Sequence, residues 1–249
     1  MVNMEKWKAH YKDENHDIET YIENHVDEDY YCLRMIIDDI EFECSDFYEW
    51  EIINEEYLEK ANEKFNILKW GFKDCYTYNL QRYYLEVEIP INVIEIESGN
   101  NISAIIHFAF QLTENTQDFT GYYLDRQKIY SDGLQCIFFK LELNDEVFES
   151  TDDNFYLEIN LSQICEKIRG KYLLKCCFGC LYSDYSPFGN SSFGDMLCFS
   201  NFAEKYMKVK GKDDALWEIL NDGKKTQETH LCEKFKPRIN FEGYRGSIY

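Results

Sequence analysis

Between residues 83 and 112 apolar side chains recur at alternate positions, a period that belongs to β-strands and not to helices. Residues 83–97 read as one long strand with Leu85, Val87 and Ile89 on a single face. Pro90 cannot donate to a ladder, so it marks an edge or a bend. Ser98-Gly99-Asn100-Asn101 forms a hairpin turn into a second strand at 102–112. His107 lies in that second strand and reads as a hydrogen-bonded core histidine, because no nucleophile motif accompanies it. The alternation returns at Leu33, Met35 and Ile37 and, after Asp38-Asp39, at Ile40, Phe42 and Cys44, which predicts a hairpin or one bulged strand. Further strands are expected at 135–143, buried on both faces near its start, and at 154–159.

Helical signals are fewer. Asn54 caps a helix over 54–65 with Leu58, Ala61 and Phe65 as its buried stripe. Ser162 opens and Gly170 ends a compact helix, and Asp213 caps another over 213–221 that buries Leu216, Trp217 and Leu220. Residues 1–30 are polar with scattered apolar points, and they suggest a short helix or an ordered arm. The expected fold is therefore α+β: a mainly antiparallel β-sheet or sandwich with three to four helices packed on it. The chain reads as a single unit, 1–249. A secondary division at 144–153 would part a β-rich half, 1–143, from the half 154–249.

The most distinctive stretch is 171–199. An apolar run from Tyr172 leads through a strand expected at 172–182 into a loop rich in turn formers, Ser183, Asp184, Ser186, Pro187, Gly189, Asn190 and Gly194. The string Cys177-x-x-Cys180-x-Tyr182-Ser-Asp-Tyr-Ser-Pro-Phe-Gly189, followed by Met196-Leu-Cys-Phe199, resembles the signature of an uncharacterised bacterial family. The resemblance implies a bacterial cytosolic protein, immunity-protein-like and associated with polymorphic-toxin genes. It supplies no catalytic residues.

Charge bounds the function. The 249 residues carry a net charge of −21, spread unevenly. Residues 13–56 hold seventeen Asp or Glu against one base, Arg34, and residues 204–249 hold ten Lys or Arg against eight acids. Such a surface repels nucleic acid and anionic membrane and attracts basic proteins. The plain alternative is that the charge serves solubility. No apolar run is long enough for a membrane helix and the first residues lack an apolar signal segment, so the expected location is cytoplasmic.

Ten cysteines in a reducing compartment are expected as free thiols. Cys177-x-x-Cys180 with Cys198 and then His230 or Cys232 offers tetrahedral zinc ligands. A second C-x-x-C is missing, however, and the preferred reading has no metal and no cofactor. Ser183-Asp184 has no histidine near it in sequence, and Gly-x-Ser-x-Gly is absent.

The sequence points to an acidic protein-binding module and not an enzyme. Its most concrete form is an immunity protein that occludes the active site of a cognate basic protein toxin. The expected partner contacts are Asp27, Glu28, Asp29, Asp38, Asp39, Glu41, Asp184, Tyr185 and Phe188. One alternative is a hydrolase or zinc-dependent enzyme that uses the loop from Cys177 to Asp184. Another is a structural or scaffolding protein.

Overall fold

The computed structural model of the chain describes residues 3–26, 31–72, 75–113, 133–151, 155–186, 192–211, 214 and 220–239. The architecture is mainly β, which corrects the expected α+β fold with helices packed on a sheet. A twelve-stranded sheet dominates the described residues, and their helices are short.

The strands of that sheet are β1 (Asn3–Lys12), β2 (Asp17–Val26), β3 (Tyr31–Ile37), β4 (Ile40–Cys44), β5 (Glu51–Ile52), β6 (Asn66–Phe72), β7 (Cys75–Gln81), β8 (Tyr83–Glu95), β9 (Asn101–Leu112), β10 (Leu134–Leu143), β11 (Glu146–Glu149) and β12 (Tyr172–Leu174). Their order is β11-β10-β9-β8-β1-β2-β3-β4-β5-β7-β6, with β12 joined to β8. A second sheet orders β13 (Ser183–Tyr185), β14 (Met196–Cys198) and β15 (Lys224–Thr226). The α-helices among the described residues are α1 (Leu58–Lys64), α2 (Leu157–Ile168) and α3 (Ala203–Tyr206).

The strands missed by the sequence pattern explain the change of class. Residues 3–26, expected as a helix or arm, form the β1–β2 hairpin. Trp7, Ala9 and Tyr11 are buried on its inner face. On the outer face Lys6 opposes Glu23 and Lys12 opposes Asp17, with the Lys12 ammonium 2.7 Å from the Asp17 carboxylate. These cross-strand charge pairs support the pleat without an apolar signature. The β3–β4 hairpin appears as expected. Asp38 (φ 52) and Asp39 (φ 65) form its turn with the paired positive φ values of a two-residue type I′ connection. Asn144 (φ 49) and Asp145 (φ 64) repeat the device between β10 and β11.

The long strand at β8 and its partner β9 also follow the sequence reading. β8 pairs with β1 over residues 84–88 and with β12 over 93–95, and Pro90 falls between the two registers. The Asn54 side chain accepts from the Glu56 N–H at 3.2 Å, but it caps a 3₁₀ turn, Glu55–Tyr57, that runs into α1. Residues 157–159, expected in a strand, open α2 instead. Leu157, Leu161, Ile164 and Ile168 lie at helical spacing and are all buried. Most of the helix expected at 213–221 lies outside the described residues.

The chain divides into two compact units: residues 1–88, 107–139 and 153–155, and residues 89–106, 140–152 and 156–249. The first has an aromatic core in which Phe47 packs edge-on to Phe108 at 5.7 Å and Phe155 meets Phe110 at 4.9 Å. The second buries the apolar stripe of α2 together with Ile91, Val93, Leu141 and Leu143. It also holds a smaller cluster of Leu197, Phe199, Tyr206 and Val209. Among the described residues no helix is long and apolar enough to cross a membrane.

Candidate functional site

The stretch expected to be one central strand over 172–182 breaks into pieces. β12 ends at Leu174, and a 3₁₀ turn at Cys177–Gly179 reverses the chain before β13. Gly179 permits the reversal, since a Cβ there would lie 2.2 Å from the Leu174 carbonyl oxygen. The C-terminal segment then binds along this turn. The Leu181 N–H donates to the Lys236 carbonyl at 2.7 Å, the Arg238 N–H donates to the Gly179 carbonyl at 3.0 Å, and Cys180 bridges Pro237.

A buried polar chain fixes the arrangement. Asp184 is 1% exposed. Its carboxylate accepts from the Tyr185 N–H at 2.9 Å and from the Tyr206 hydroxyl at 2.7 Å. That hydroxyl accepts in turn from the Arg238 guanidinium at 2.9 Å, which also donates to the Ser183 and Leu181 carbonyls at 2.8 and 3.1 Å. Tyr206 stacks on Phe199 at 5.0 Å. Burial first, and then the Asp184 charge, raise the Tyr206 phenol above its ordinary value, so it stays a neutral donor.

A second acid lies in the same unit. Glu228 is fully buried and accepts from the Gly194 N–H at 2.7 Å, with the Tyr185 hydroxyl as its other neighbour. Burial pushes its carboxyl up to about 7, and nearby Asp195 adds to the shift. The four residues Thr226 to Thr229 are all buried although all are polar.

The thiols of this turn are buried. Burial raises the Cys176 thiol, and it pushes Cys177 up to about 12 against a hydrogen bond to Thr226 at 3.4 Å. Neutral thiols make poor nucleophiles and poor metal ligands. Among the described residues no group of three or more His, Cys, Asp or Glu side chains is placed to hold a metal ion.

The expected partner contacts separate into three groups. Asp27, Glu28, Asp29 and Phe188 lie outside the described residues. Asp184 and Tyr185 are each 1% exposed, so neither side chain is presented to a partner; they are interior residues of the turn. Asp38, Asp39 and Glu41 reach solvent but have partners within the chain. Lys64 pairs with Asp38 and Lys60 lies 3.6 Å from Asp39. Arg34 sits 3.5 Å from Glu41. Lys64 first, and His16 more weakly, hold the Asp38 carboxyl below its ordinary value.

A family model, described as a family of unknown function (DUF6304), matches residues 5–183, well over half of the chain. The chain belongs to the DUF6304 family. Neither a curated protein nor a solved structure matches it. The family match begins inside β1, takes in the rest of the large sheet and ends at Ser183, at the start of β13. Tyr206, Glu228 and Arg238 therefore lie beyond the part of this DUF6304 member that the match covers, as does most of the string that drew notice in the sequence. Those three residues carry no local motif. They are found only by the fold, because their partners are distant along the chain.

Proposed function

We propose that this DUF6304 member is an acidic protein-binding module, and in its most concrete form an immunity protein that occludes the active site of a cognate basic toxin. The observation that supports it is the exposed charge of the segment leading into and along α1. Glu55, Glu56, Glu59 and Glu63 are all exposed, and none has an ion-pair partner among the described residues. Together with the net charge of −21 they give a field that draws a cationic partner and speeds encounter. Toxins that act on phosphate carry basic clefts, and an acidic surface is complementary to them. A hydrolase at the loop from Cys177 to Asp184 is disfavoured, because a catalytic acid, base or thiolate must reach its substrate and these groups are sealed or neutral.

The test is a kinetic binding assay against the product of the adjacent gene across a salt series. Association should slow as salt rises, with dissociation changing much less. No binding, or an association rate indifferent to salt, would defeat the proposal.

A further inference from the structure

The first unit carries a sheet face that its own side chains leave partly open to solvent. Alternation and register place Lys6, Glu23, Arg34, Glu43, Glu51, Asn79 and Leu68 opposite one another in turn, in a line across β1, β2, β3, β4, β5, β7 and β6. Their strand neighbours Trp7, Ile22, Met35, Phe42 and Leu80 point the other way and are buried. At about 4.8 Å between strands, the line runs roughly 29 Å, the scale of a protein contact and not of a small ligand.

Two residues along the same face lies an apolar row. Ile36 opposes Glu41, and the Ile53 N–H donates to the Glu41 carbonyl at 3.3 Å. Tyr21 is on the adjoining strand with the Lys6 ammonium 4.8 Å from its ring, and Trp70 stands on β6 opposite Thr77. Tyr21, Ile36, Ile53 and Trp70 are 50%, 57%, 45% and 51% exposed. Scattered apolar residues on a surface need no explanation; four on one face of one sheet, bordered by charge, mark an interaction surface.

The charge beside the row says what fits it. Glu43 and Glu51 stand directly opposite across β4 and β5, a like-charged pair that costs stability. Arg34 lies 2.9 Å from Glu43, while Glu51 has Asn79 as its other neighbour and no ion pair among the described residues. Burial, then Glu49 and Glu43, raise the Glu51 carboxyl. Lys6 and Lys8 are turned to Glu23 and Glu88, each at 3.5 Å. A second copy of this face would bring more carboxylates against Glu43 and Glu51, so self-association is opposed. A cation arriving from outside relieves them.

We propose that the outer face of β2–β5, centred on Ile36 and extending to Trp70, is the docking surface for a basic protein. That partner presents lysine or arginine to Glu41, Glu43 and Glu51 and apolar side chains to Tyr21, Ile36 and Ile53. The proposal rests on the reading that the chain binds a basic protein, and it names a surface separate from the acids of α1.

The experiment uses the full chain with isotope-labelled isoleucine methyl groups and two probes. One is the product of the adjacent gene, and the other is a synthetic peptide of alternating lysine and leucine. With a probe that binds, the Ile36 and Ile53 methyl signals should shift. Ile36→Lys should weaken binding by about tenfold, as expected when a like charge enters a central contact, while Glu59→Lys on α1 changes affinity far less. Binding of the peptide alone, with both methyl signals shifted, supports the docking face and removes the immunity reading. Binding of the gene product with both signals unmoved and no response to Ile36→Lys overturns the face and leaves that reading intact. Binding by neither probe overturns the face.

Discussion

The Tyr206 hydroxyl donates to the Asp184 carboxylate at 2.7 Å, in a place where neither side chain is more than 1% exposed. A carboxylate withdrawn from water needs its lone pairs filled, and here a backbone N–H and a phenol are among the donors. The phenol in turn takes a hydrogen bond from Arg238, so the order of the signature turn depends on a residue 32 positions away from Tyr206.

Tyr206→Phe keeps the stacking on Phe199 and removes only the hydroxyl. Asp184 then loses one donor, and Arg238 loses one acceptor. Stability should fall by about 1.5–3 kcal/mol, the contribution of a hydrogen bond to a charged group. Urea unfolding of the two proteins measures it, and equal midpoints would show that the chain of hydrogen bonds contributes nothing to the fold.

Glu228 gives stability a direction with pH. Its folded carboxyl sits near pH 7, above the ordinary value of 4.5. The folded chain therefore holds this proton more tightly than the unfolded chain. The resulting stabilisation is complete below about pH 4.5 and is lost as pH rises through about 7. Asp46, pushed up to about 7 by burial first and then by Glu49, acts with the same sign. Glu228→Gln keeps an acceptor for the Gly194 N–H and removes the proton. The variant should be more stable than the parent above pH 7 and should lose part of the fall between pH 5 and pH 7 in unfolding midpoints. An unchanged pH profile would contradict this assignment.

What could be seen in the sequence divides along physical lines. β8, β9 and the β3–β4 hairpin were legible because each carries three or more apolar residues at alternate positions and a turn of suitable residues. β1 and β2 were not, because their outer face is held by ion pairs and only Trp7, Ala9 and Tyr11 mark the inner face of β1. The start of α2 read as a strand because Leu157 and Ile159 also alternate, and the helical period emerges only once Leu161, Ile164 and Ile168 join it. Asp184 stood out locally as a turn-forming acid. Its partner Tyr206 did not, being 22 residues away, and neither did Glu228, the second buried acid, which sits in a polar run that tertiary contacts bury. Exposure could not be inferred for Asp184 and Tyr185 either, because the segment that seals the turn comes from residues 236–238.

The thiols offer a test by chemical mapping. Cys176, Cys177 and Cys180 are buried, whereas Cys198 and Cys232 are partly exposed. Alkylation follows thiolate character and access. Under native conditions iodoacetamide should label Cys198 and Cys232 well before Cys176, Cys177 and Cys180, and mass mapping of peptides reads the order. Early labelling of Cys177 would show that the turn opens readily and would return the thiol pair to consideration as a reactive site.

Asp38 and Asp39 were expected as partner contacts, but their backbone suggests another role. Both hold positive φ, a conformation in which asparagine and glycine are favoured over aspartate. Their carboxylates pair with Lys64 and Lys60 at the surface, and exposed pairs of this kind contribute between about 0 and 1 kcal/mol. Lys60 also donates to the Asp38 carbonyl at 2.7 Å, a bond that substitution of the Asp38 side chain leaves in place. In the double variant Asp38→Asn with Asp39→Gly, better turn residues replace the weak pairs of Asp38 with Lys64 and His16 and of Asp39 with Lys60. The unfolding midpoint should therefore stay level or rise slightly, and affinity for a basic partner should hold to within the small change in association rate that two lost charges produce. If stability drops by more than about 1 kcal/mol, the Lys64–Asp38 pair outweighs the turn preference. If stability holds but binding is abolished, these two aspartates are contacts after all, and the turn is part of the docking surface.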